Sequence, residues 1–476
     1  MSAETLVGLD VGTSALKALA VSPGGDVVSR VEVPYAPSMP RPGWSEQDPE
    51  EWWSAAGEAL GRLGDVRPIA VGVSGQMHGL VALDAGGAVI RPAILWNDQR
   101  TAAQCAEIED AIGLERLVTL TGNRALTGFT APKLLWLREH ERSSFDAIDA
   151  VMLPKDLVRW RLTGEPGTDA SDASGTLLLD VAGRSWSEDV VAALGLDPRW
   201  LPAVRESAAP AGATAGGVVV AAGAGDQAAS AVGVGAVRPG EISISLGTSG
   251  VVFAVQPAYR PDPAARVHTF CHAVPDRWHT MGVMLSAAGS LRWARDVLAP
   301  DAAYDDLVGE AASAPAGGGG VTFLPYLMGE RTPHADPDAR AAFVGLRVEH
   351  DRAALIRSVL EGVAYGLRDC FELLQESGLE PRVARVSGGG ARSEPWLRIV
   401  ASVLGIPLER TEVDEGAAFG AALLAGVASG TFASVEEAAE ACVRPRGIVE
   451  PDADWRSVYD DGYVRFRELY PALRRT

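Results

Sequence analysis

The chain opens with apolar runs that predict β-strands. Residues 5–11 read TLVGLDV, and the segments 16–21 and 27–33 follow after short turns rich in Gly, Ser and Thr. Short apolar runs bounded by turn residues are typical of strands. The pattern therefore predicts an antiparallel meander at the start of a first domain.

Helix-start signals predict where helices alternate with the strands. Asp48 followed by Pro49 is a favourable start, because Asp caps a helix and Pro suits its first turn, and Glu51 completes a capping box. Further helices are predicted from 130, over 155–164, over 352–375, from 394 and over 416–426. Alternating strands and helices in both halves indicate an α/β fold.

The opening pattern recurs half a chain later. Gly247-Thr248-Ser249 lies between two strand-like runs, as Gly12-Thr13-Ser14 does, and the turns are 235 positions apart. We interpret this as a duplicated domain, with one copy in 1–240 and the other in 241–476. Asp10 of the first copy corresponds to Ser245 of the second, so only one turn supplies a carboxylate. A single phosphate-plus-metal site needs that asymmetry.

Composition narrows the class of protein. The 476-residue chain carries 62 acidic against 42 basic residues, a formal net charge of −20, and 47% hydrophobic residues. This is ordinary globular composition, and the length favours about two domains. Such an acidic surface would repel nucleic acid and anionic membranes, so neither is expected as a partner.

The spacing of the cysteines and the lack of a long apolar segment favour the cytosol as the compartment. The four cysteines are far apart and form no CxxC pair, which argues against a disulfide or zinc framework and favours a reducing cytosol. The N-terminus has no basic, apolar leader, and the longest uncharged window, 207–225, is rich in Ala and Gly and contains Pro210. We therefore expect a soluble cytoplasmic protein.

Phosphate binding would have to use something other than a P-loop. None of the three lysines, Lys17, Lys133 and Lys155, follows a glycine, so no Walker A motif exists. The two Gly-Thr-Ser turns and the turn at 388–390 offer backbone N–H groups that can converge on phosphate oxygens. Each alone also reads as a structural turn, but three in one chain favour a nucleotide cleft.

The segment 223–228, GAGDQA, admits three interpretations. It formally matches a dinucleotide fingerprint, which we reject because Asp226 would repel a pyrophosphate at the helix start. Asp226 is either a helix N-cap or a carboxylate aimed into the cleft as general base for a hydroxyl acceptor.

The remaining candidates for a ligand contact or a metal site include histidines. Met77-His78 lies in a glycine-flanked loop after a strand, where it either packs or contacts a ligand. A zinc site is disfavoured in the second half, since the strand-like alternation there sets the candidate ligands too far apart for one ion. Those candidates are His268, Cys271, His272 and His279.

Ordered motifs along nearly the whole chain resemble the FGGY carbohydrate kinases. They are GLDVGTS at 8–14, WSEQDPEEWW at 44–53, SGQMHG at 74–79, RPAILWNDQR at 91–100, GFTAPKLLWL at 128–137, LPKD at 153–156, SLGTSG at 245–250, FLPYLMGERTPH at 323–334 and SGGGARSE at 387–394. Gly-Thr-Ser alone would mark only the wider actin and hexokinase superfold, whereas Gln-Met-His-Gly points to family members that phosphorylate a ketopentose.

The resemblance implies two actin-like (ribonuclease H-like) domains flanking a deep cleft, with ATP and Mg²⁺ as cosubstrate and cofactor. It implies transfer of the γ-phosphate to the terminal hydroxyl of D-xylulose in pentose catabolism, with Asp226 as catalytic base. Met77, His78, Asp226 and Gln227 would bind the sugar, and Asp10 would help hold the metal. The residues implied to bind ATP are Gly12, Thr13, Gly247, Thr248, Gly389 and Gly390.

One departure from the family pattern bears on the acceptor. Gln227 stands where related kinases often carry Asn, so L-ribulose or a pentitol stays open as an alternative acceptor. An actin-like ATPase without sugar chemistry is the alternative of a different class. The resemblance also implies a sugar site in 1–240, a nucleotide site with a helical tail in 241–476, and a homodimer.

Overall fold

The computed structural model describes residues 4–474 and has an alternating α/β architecture. The strands of the first half are β1 (Glu4–Val11), β2 (Ala15–Val21), β3 (Val27–Pro34), β4 (Glu46–Gln47), β5 (Arg67–Gly75), β6 (Val81–Leu83), β7 (Ala93–Ile94), β8 (Ala150–Met152), β9 (Thr168–Asp169), β10 (Leu179–Asp180), β11 (Ser185–Trp186), β12 (Val204–Arg205), β13 (Pro210–Ala213), β14 (Val219–Ala221) and β15 (Ala224–Gly225). Those of the second half are β16 (Ile242–Leu246), β17 (Gly250–Gln256), β18 (His268–Cys271), β19 (Trp278–Met284), β20 (Thr322–Leu324), β21 (Ala342–Val344), β22 (Ala384–Ser387), β23 (Leu408–Thr411) and β24 (Pro445–Val449).

Helices cover the sheets and connect their strands. They are α1 (Pro49–Arg62), α2 (Ala102–Ile112), α3 (Leu114–Thr121), α4 (Thr130–His140), α5 (Arg142–Asp146), α6 (Pro154–Thr163), α7 (Ala170–Ala173), α8 (Glu188–Ala193), α9 (Asp226–Gly233), α10 (Ala288–Leu298), α11 (Tyr304–Ser313), α12 (Arg352–Glu376), α13 (Glu394–Leu404), α14 (Gly416–Ala428), α15 (Val435–Cys442) and α16 (Arg456–Leu473). Within residues 4–474, none of them is long and apolar enough to cross a membrane.

Capping follows the sequence signals at most of the predicted helix ends. The Asp48 carboxylate accepts a hydrogen bond of 3.0 Å from the Glu50 amide at the start of α1. Asp351 likewise accepts from Ala354 at the start of α12, and Gly164 ends α6 in the left-handed conformation. The helix predicted from 394 begins there, with Ser393 at the cap position, but the Ser393 side chain makes no capping hydrogen bond.

The first sheet contains the predicted meander. Its strand order is β13-β14-β5-β1-β2-β3, and β15 pairs with β5 beyond the end of β14. β1 runs antiparallel to β2 and parallel to β5, and β2 runs antiparallel to β3. The meander predicted from residues 5–33 is therefore confirmed, and β5 extends it by a parallel strand.

The second sheet repeats this arrangement. Its order is β18-β19-β17-β16-β22-β23-β24, and β16 runs antiparallel to β17 and parallel to β22. The strands β19-β17-β16-β22-β23-β24 thus match β3-β2-β1-β5-β14-β13 in order and relative direction. Both Gly-Thr-Ser turns join the first two strands of their sheet, as the internal repeat predicts. Two domains of one topology agree with the predicted actin-like fold.

Helix α14 belongs to the second half of the chain but packs against the first sheet. A β-carbon on Gly8 of β1 would overlap the backbone at Ala418, and one on Gly72 of β5 would overlap the backbone at Ala421. The helix also shares a buried apolar cluster with β1, β2, α9 and α15. Helix α14 therefore lies with the first domain in space although it belongs to the second half of the chain. The domain boundary at residue 240 remains a prediction.

Replacing Gly420 by Ala should destabilise the protein, because the added β-carbon would overlap the carbonyl oxygen of Ala229 where α14 meets α9. Overpacking of this kind costs about 1–3 kcal/mol. The matched control is Gly57→Ala in α1, where nothing lies within 4 Å of the new carbon. Since Ala is the better helix former by about 0.5–1 kcal/mol, that change should stabilise the protein. Urea unfolding of both variants measures the two effects, and equal shifts would contradict this account of the α14 contact.

Candidate active site

Three strand ends bring two carboxylates to one edge of the first sheet. Asp10, near the end of β1, pairs in register with Ser74 of β5, and Ser74 pairs with Ala224 of β15. Asp226 follows two residues after Ala224 and begins α9. Carboxyl ends of parallel strands meet at one edge of a sheet, which is where α/β proteins bind ligands. Asp10 and Asp226 thus lie near each other, close enough for the charge of Asp10 to act on Asp226.

The Asp10 carboxylate is half-buried and hydrogen-bonded. Ser74 donates from its hydroxyl to Asp10 Oδ1 at 3.0 Å. Burial raises the pKa of Asp10, whereas the Ser74 hydrogen bond and the charge of Lys17, its partner on β2, lower it. Ser74 is a site residue that the sequence reasoning missed, although it opens the SGQMHG segment.

Asp226 does not cap its helix. Helix α9 begins at Asp226, and Gly225 occupies the cap position with extended backbone angles. The helix-cap interpretation is therefore wrong, and the carboxylate is free for another role. Burial raises the pKa of Asp226 to about 7, and the negative charge of Asp10 adds to this, while hydrogen bonds from Gln227 lower it. A carboxylate with a pKa near neutrality can accept a proton from a hydroxyl at ordinary pH.

His78 is held in an unusual backbone conformation with its ring fixed. Its φ of 72° lies in the left-handed region, and its Nδ1 lies 2.6 Å from the carbonyl oxygen of Gly175. A carbonyl oxygen only accepts, so Nδ1 carries the hydrogen and Nε2 keeps its lone pair. Burial, with a smaller contribution from the charges of Lys133 and Arg331, lowers the pKa of His78 to about 3, although the hydrogen bond to Gly175 opposes this shift. The ring is therefore a neutral acceptor.

Met77 and Gln227 complete the surroundings of Asp226. Met77 is buried, and its Cγ would lie 2.8 Å from a β-carbon on Gly225, so it packs directly beside the residue before Asp226. Gln227 hydrogen-bonds the Asp226 carboxylate. The structure thus brings Met77, Asp226 and Gln227 together. His78 joins them through Gly175, where an added β-carbon would meet both the His78 ring and the Met77 methyl.

A cavity of about 660 Å³ opens beside the second sheet, next to its Gly-Thr-Ser turn. Four predicted ATP-binding residues line it: Gly247, Thr248, Gly389 and Gly390. Its other walls, which the sequence did not single out, are Leu246, Ala288, Leu291, Arg292, Ala303, Tyr304, Asp305, Val308, Arg392, Ser393 and Trp396. A cavity of this size, with apolar walls, glycine turns and two arginines in its lining, fits a nucleoside with its phosphates.

The Gly12–Ser14 turn does not line that cavity, and its polar groups are largely engaged by side chains. The Tyr35 hydroxyl donates to Gly12 O at 2.8 Å. The Thr13 hydroxyl donates to Gln76 Oε1 at 3.2 Å and accepts from Trp96 Nε1 at 3.0 Å. In this conformation the Thr13 hydroxyl proton is not available to a phosphate, and the Gly12 amide donates to the Ala15 carbonyl oxygen at 3.1 Å, so any phosphate contact there would use the amides of Thr13 or Ser14.

The histidines of the second sheet are engaged in packing and hydrogen bonds. His268 Nδ1 lies 2.6 Å from Asn123 Oδ1, and His272 Nε2 lies 3.0 Å from Ala236 O. His279 stacks on Phe253 with ring centroids 4.1 Å apart. Among residues 4–474, no group of three or more His, Cys, Asp or Glu side chains is arranged to hold a metal ion.

Comparison with known proteins gives matches along nearly the whole chain. The model of the N-terminal domain of the FGGY family of carbohydrate kinases matches residues 5–233, and the model of its C-terminal domain matches residues 242–429. A protein named xylulose kinase from Escherichia coli (strain K12) is 44% identical over 485 aligned residues, which cover 98% of this chain and 99% of that protein.

Two further similarities point the same way. A xylulose kinase from Klebsiella pneumoniae is 44% identical over 436 aligned residues, covering 89% of each protein. A crystal structure described as a xyloylose kinase from Brucella ovis superposes with a TM-score of 0.91 at 43% identity, covering 99% of both chains.

The His78 ring should stay neutral over the ordinary histidine range. With a pKa of about 3 in the folded state, it takes up no proton between pH 8 and about pH 5. An unfolded histidine titrates near pH 6.5, so this group lowers folding stability as the pH falls below about that value. Long-range ¹H–¹⁵N spectra, assigned with a His78→Ala variant, measure this directly. A titration midpoint between about 6 and 7 would contradict the buried, neutral ring.

Proposed function

We propose that this chain, which belongs to the FGGY family of carbohydrate kinases, transfers the γ-phosphate of ATP to the terminal hydroxyl of D-xylulose. The observation that carries the proposal is the convergence of Asp226, Met77 and His78 at the sheet edge that also holds Asp10. The choice of D-xylulose is supported by the 44% identity to the Escherichia coli xylulose kinase over 98% of the chain.

In this proposal Asp226 is the general base. Phosphoryl transfer proceeds through a loose transition state, so the protein aligns the acceptor hydroxyl with the γ-phosphate and forms no covalent intermediate. Asp226 accepts the hydroxyl proton as the new O–P bond forms and the bond to the ADP oxygen breaks. Its pKa near 7 suits a group that must take up a proton and release it again.

Met77, His78 and Gln227 orient the sugar. The neutral His78 ring offers its Nε2 lone pair to a sugar hydroxyl, because Nδ1–H is already bound to Gly175. Met77 provides an apolar wall against the carbon skeleton. Gln227 fixes the Asp226 carboxylate, and its length at this position sets the room left for the acceptor.

Mg²⁺ is the cofactor that we propose for the reaction, with Asp10 as its protein contact. Carboxylate oxygens are ligands that Mg²⁺ prefers, and it is usually held by one or two carboxylates together with substrate phosphates and water. The half-buried Asp10 carboxylate, which accepts a hydrogen bond from Ser74 and lies near the charges of Lys17 and Asp226, fits this donor chemistry. When bound, the ion would neutralise charge on the β- and γ-phosphates.

The nucleotide is proposed to occupy the cavity beside the second sheet. Gly247, Thr248, Gly389 and Gly390 would face its phosphates and ribose, and the apolar walls would hold the adenine. Thr13 would contribute its backbone amide from the opposite turn, and Gly12, whose own amide donates to the Ala15 carbonyl oxygen at 3.1 Å, would hold that turn in shape. On this reading residues 1–240 carry the sugar site and residues 241–476 the nucleotide site, with transfer between them.

A cytoplasmic location is the natural one for this chemistry. The cavity needs cellular ATP, and the four cysteines, Cys105, Cys271, Cys370 and Cys442, are free thiols. The homodimer implied by the family resemblance remains a prediction.

Replacing Asp226 by Asn should remove catalysis but keep nucleotide binding. Loss of the general base should lower kcat by at least about 100-fold, because Asn cannot accept the hydroxyl proton. ATP affinity, measured by calorimetry, should stay within about twofold, because the residue lies outside the nucleotide cavity. The control is Asp65→Asn, at an exposed position away from the site. Near-normal turnover by the Asp226→Asn enzyme would overturn the assignment.

A panel of acceptors tests the substrate. ADP formation should depend on added sugar, with kcat/KM for D-xylulose at least about tenfold above that for L-ribulose, D-ribulose, xylitol or D-arabitol, because only the matching hydroxyls meet both His78 and Asp226. Faster turnover of L-ribulose or a pentitol would reassign the acceptor. ADP release at the same rate without any sugar would instead favour an actin-like ATPase.

A further inference from the structure

The loop that carries His78 adopts a conformation that needs outside support. A φ of 72° is rare for a residue with a β-carbon, and such strained residues persist only where surrounding groups hold them. Three groups from the start of α4 surround His78. These groups belong to the GFTAPKLLWL segment, which has so far been given no role.

Two side chains of α4 donate hydrogen bonds to the His78 carbonyl oxygen. Lys133 Nζ donates to it at 2.8 Å, and the Thr130 hydroxyl donates to it at 3.0 Å. Lys133 Nζ also donates to the Gly128 carbonyl oxygen at 2.7 Å. The ammonium group therefore ties the His78 backbone to the start of α4 through one atom.

The side chain of His78 is fixed by the same region. Its ring packs edge-on against Phe129, the residue before Thr130, with ring centroids 4.8 Å apart. On its other side Nδ1 donates to the Gly175 carbonyl oxygen. The backbone and the ring of His78 are therefore both fixed, so the lone pair of its Nε2 points in a single direction.

Burial of the Lys133 ammonium group at this position is unfavourable for folding. Lys133 is fully buried, and the hydrogen-bond partners of its Nζ within residues 4–474 are two backbone carbonyl oxygens, those of His78 and Gly128, with no carboxylate among them. Burial lowers the pKa of Lys133 to about 7, only partly opposed by the charge of Asp98. A buried charge without a counter-ion is a poor source of stability, and an apolar side chain of the same shape would serve packing better.

We propose that Lys133 is a positioning residue that fixes His78 for the sugar and thereby helps to determine acceptor specificity. The inference rests on the proposed function, because it takes His78 as the sugar contact. Lys133 does not touch the substrate in this account. It acts through the His78 carbonyl, which sets the direction of the imidazole and so the position of the hydroxyl that Nε2 accepts.

A double-mutant cycle tests the coupling. Lys133→Met keeps the shape but removes both hydrogen bonds, and it should lower kcat/KM for D-xylulose by about tenfold or more, mainly through KM, with KM for ATP within about twofold. In a His78→Ala background the same change should cause little further loss, because Lys133 acts through His78. An equal loss in both backgrounds, or an equal change in KM for ATP, would overturn the proposal.

The matched control lies on the same helix. Arg138 Nη1 donates to the Leu194 carbonyl oxygen at 2.7 Å and its Nη2 pairs with Glu107, so Arg138→Met also removes a cation from a backbone carbonyl, but near the other end of α4. This control should leave the sugar KM unchanged. If it raises the sugar KM as much as Lys133→Met does, the effect belongs to the helix as a whole and the proposal fails.

A spectroscopic measurement separates this proposal from the proposed function. In wild-type protein without any substrate, the ¹⁵N signals of His78 should show the neutral Nδ1–H form, and Lys133→Met should shift or broaden them while the signals of His272 and His334 stay in place. Unchanged His78 signals would overturn the positioning role even if D-xylulose is a substrate. If D-xylulose is not phosphorylated but the His78 signals shift as expected, the substrate assignment fails and the positional coupling stands.

Should Lys133→Met fail to fold, Thr130→Val provides the second variant, since it removes only one of the two donors to the His78 carbonyl. It should raise the sugar KM less than about tenfold and shift the same His78 signals. No change in either quantity would overturn the proposal.

Discussion

Two carboxylates held close together at one buried sheet edge are the electrostatic constraint on which this site depends. Burial raises the pKa of Asp226 to about 7, and the negative charge of Asp10 contributes to this rise. Such a pair persists only where hydrogen bonds and a rigid backbone hold it. Ser74 and Gln227 supply the hydrogen bonds, and the register of β1, β5 and β15 supplies the rigidity.

The rigidity of that sheet edge comes from helix α14, which packs closely against the first sheet and α9 at glycine residues. Gly8, Gly72 and Gly420 let α14 approach β1, β5 and α9 so closely that a β-carbon at any of them would overlap backbone. Because α9 begins with Asp226 and β1 ends beside Asp10, this contact fixes both carboxylates relative to one another. The cavity that we propose for the nucleotide lies beside the second sheet, so the proposed transfer would require the two halves to meet at this edge.

Much of this arrangement could be predicted from sequence because it depends on local signals. Turn glycines, apolar runs and helix caps are short-range features, and they located the first strands, α1, α12 and the repeated Gly-Thr-Ser turn. Asp226 stood out because an acid after a glycine turn contradicts a dinucleotide site. The packing of α14 on the first sheet could not be predicted, since nothing in an Ala- and Gly-rich helix says which surface it covers.

The long-range contacts of individual side chains could not be predicted from the sequence either. Gly175 has no signal in the sequence, yet its carbonyl sets the tautomer of His78 from 97 positions away along the chain. Thr13 was implied to bind ATP, and nothing in the sequence indicated that Gln76 and Trp96 engage its hydroxyl. Lys133 was visible only as a lysine outside a P-loop, because its partners are backbone carbonyls that sequence does not distinguish. Long-range contacts of this kind are set by the tertiary fold.

The most direct test of the account is a crystal structure of the Asp226→Asn enzyme with D-xylulose and a non-hydrolysable ATP analogue. The account predicts the terminal hydroxyl of the sugar within about 3 Å of the residue 226 side chain, and another hydroxyl at His78 Nε2. A terminal hydroxyl that faces a different carboxylate, with residue 226 out of hydrogen-bonding reach, would contradict it.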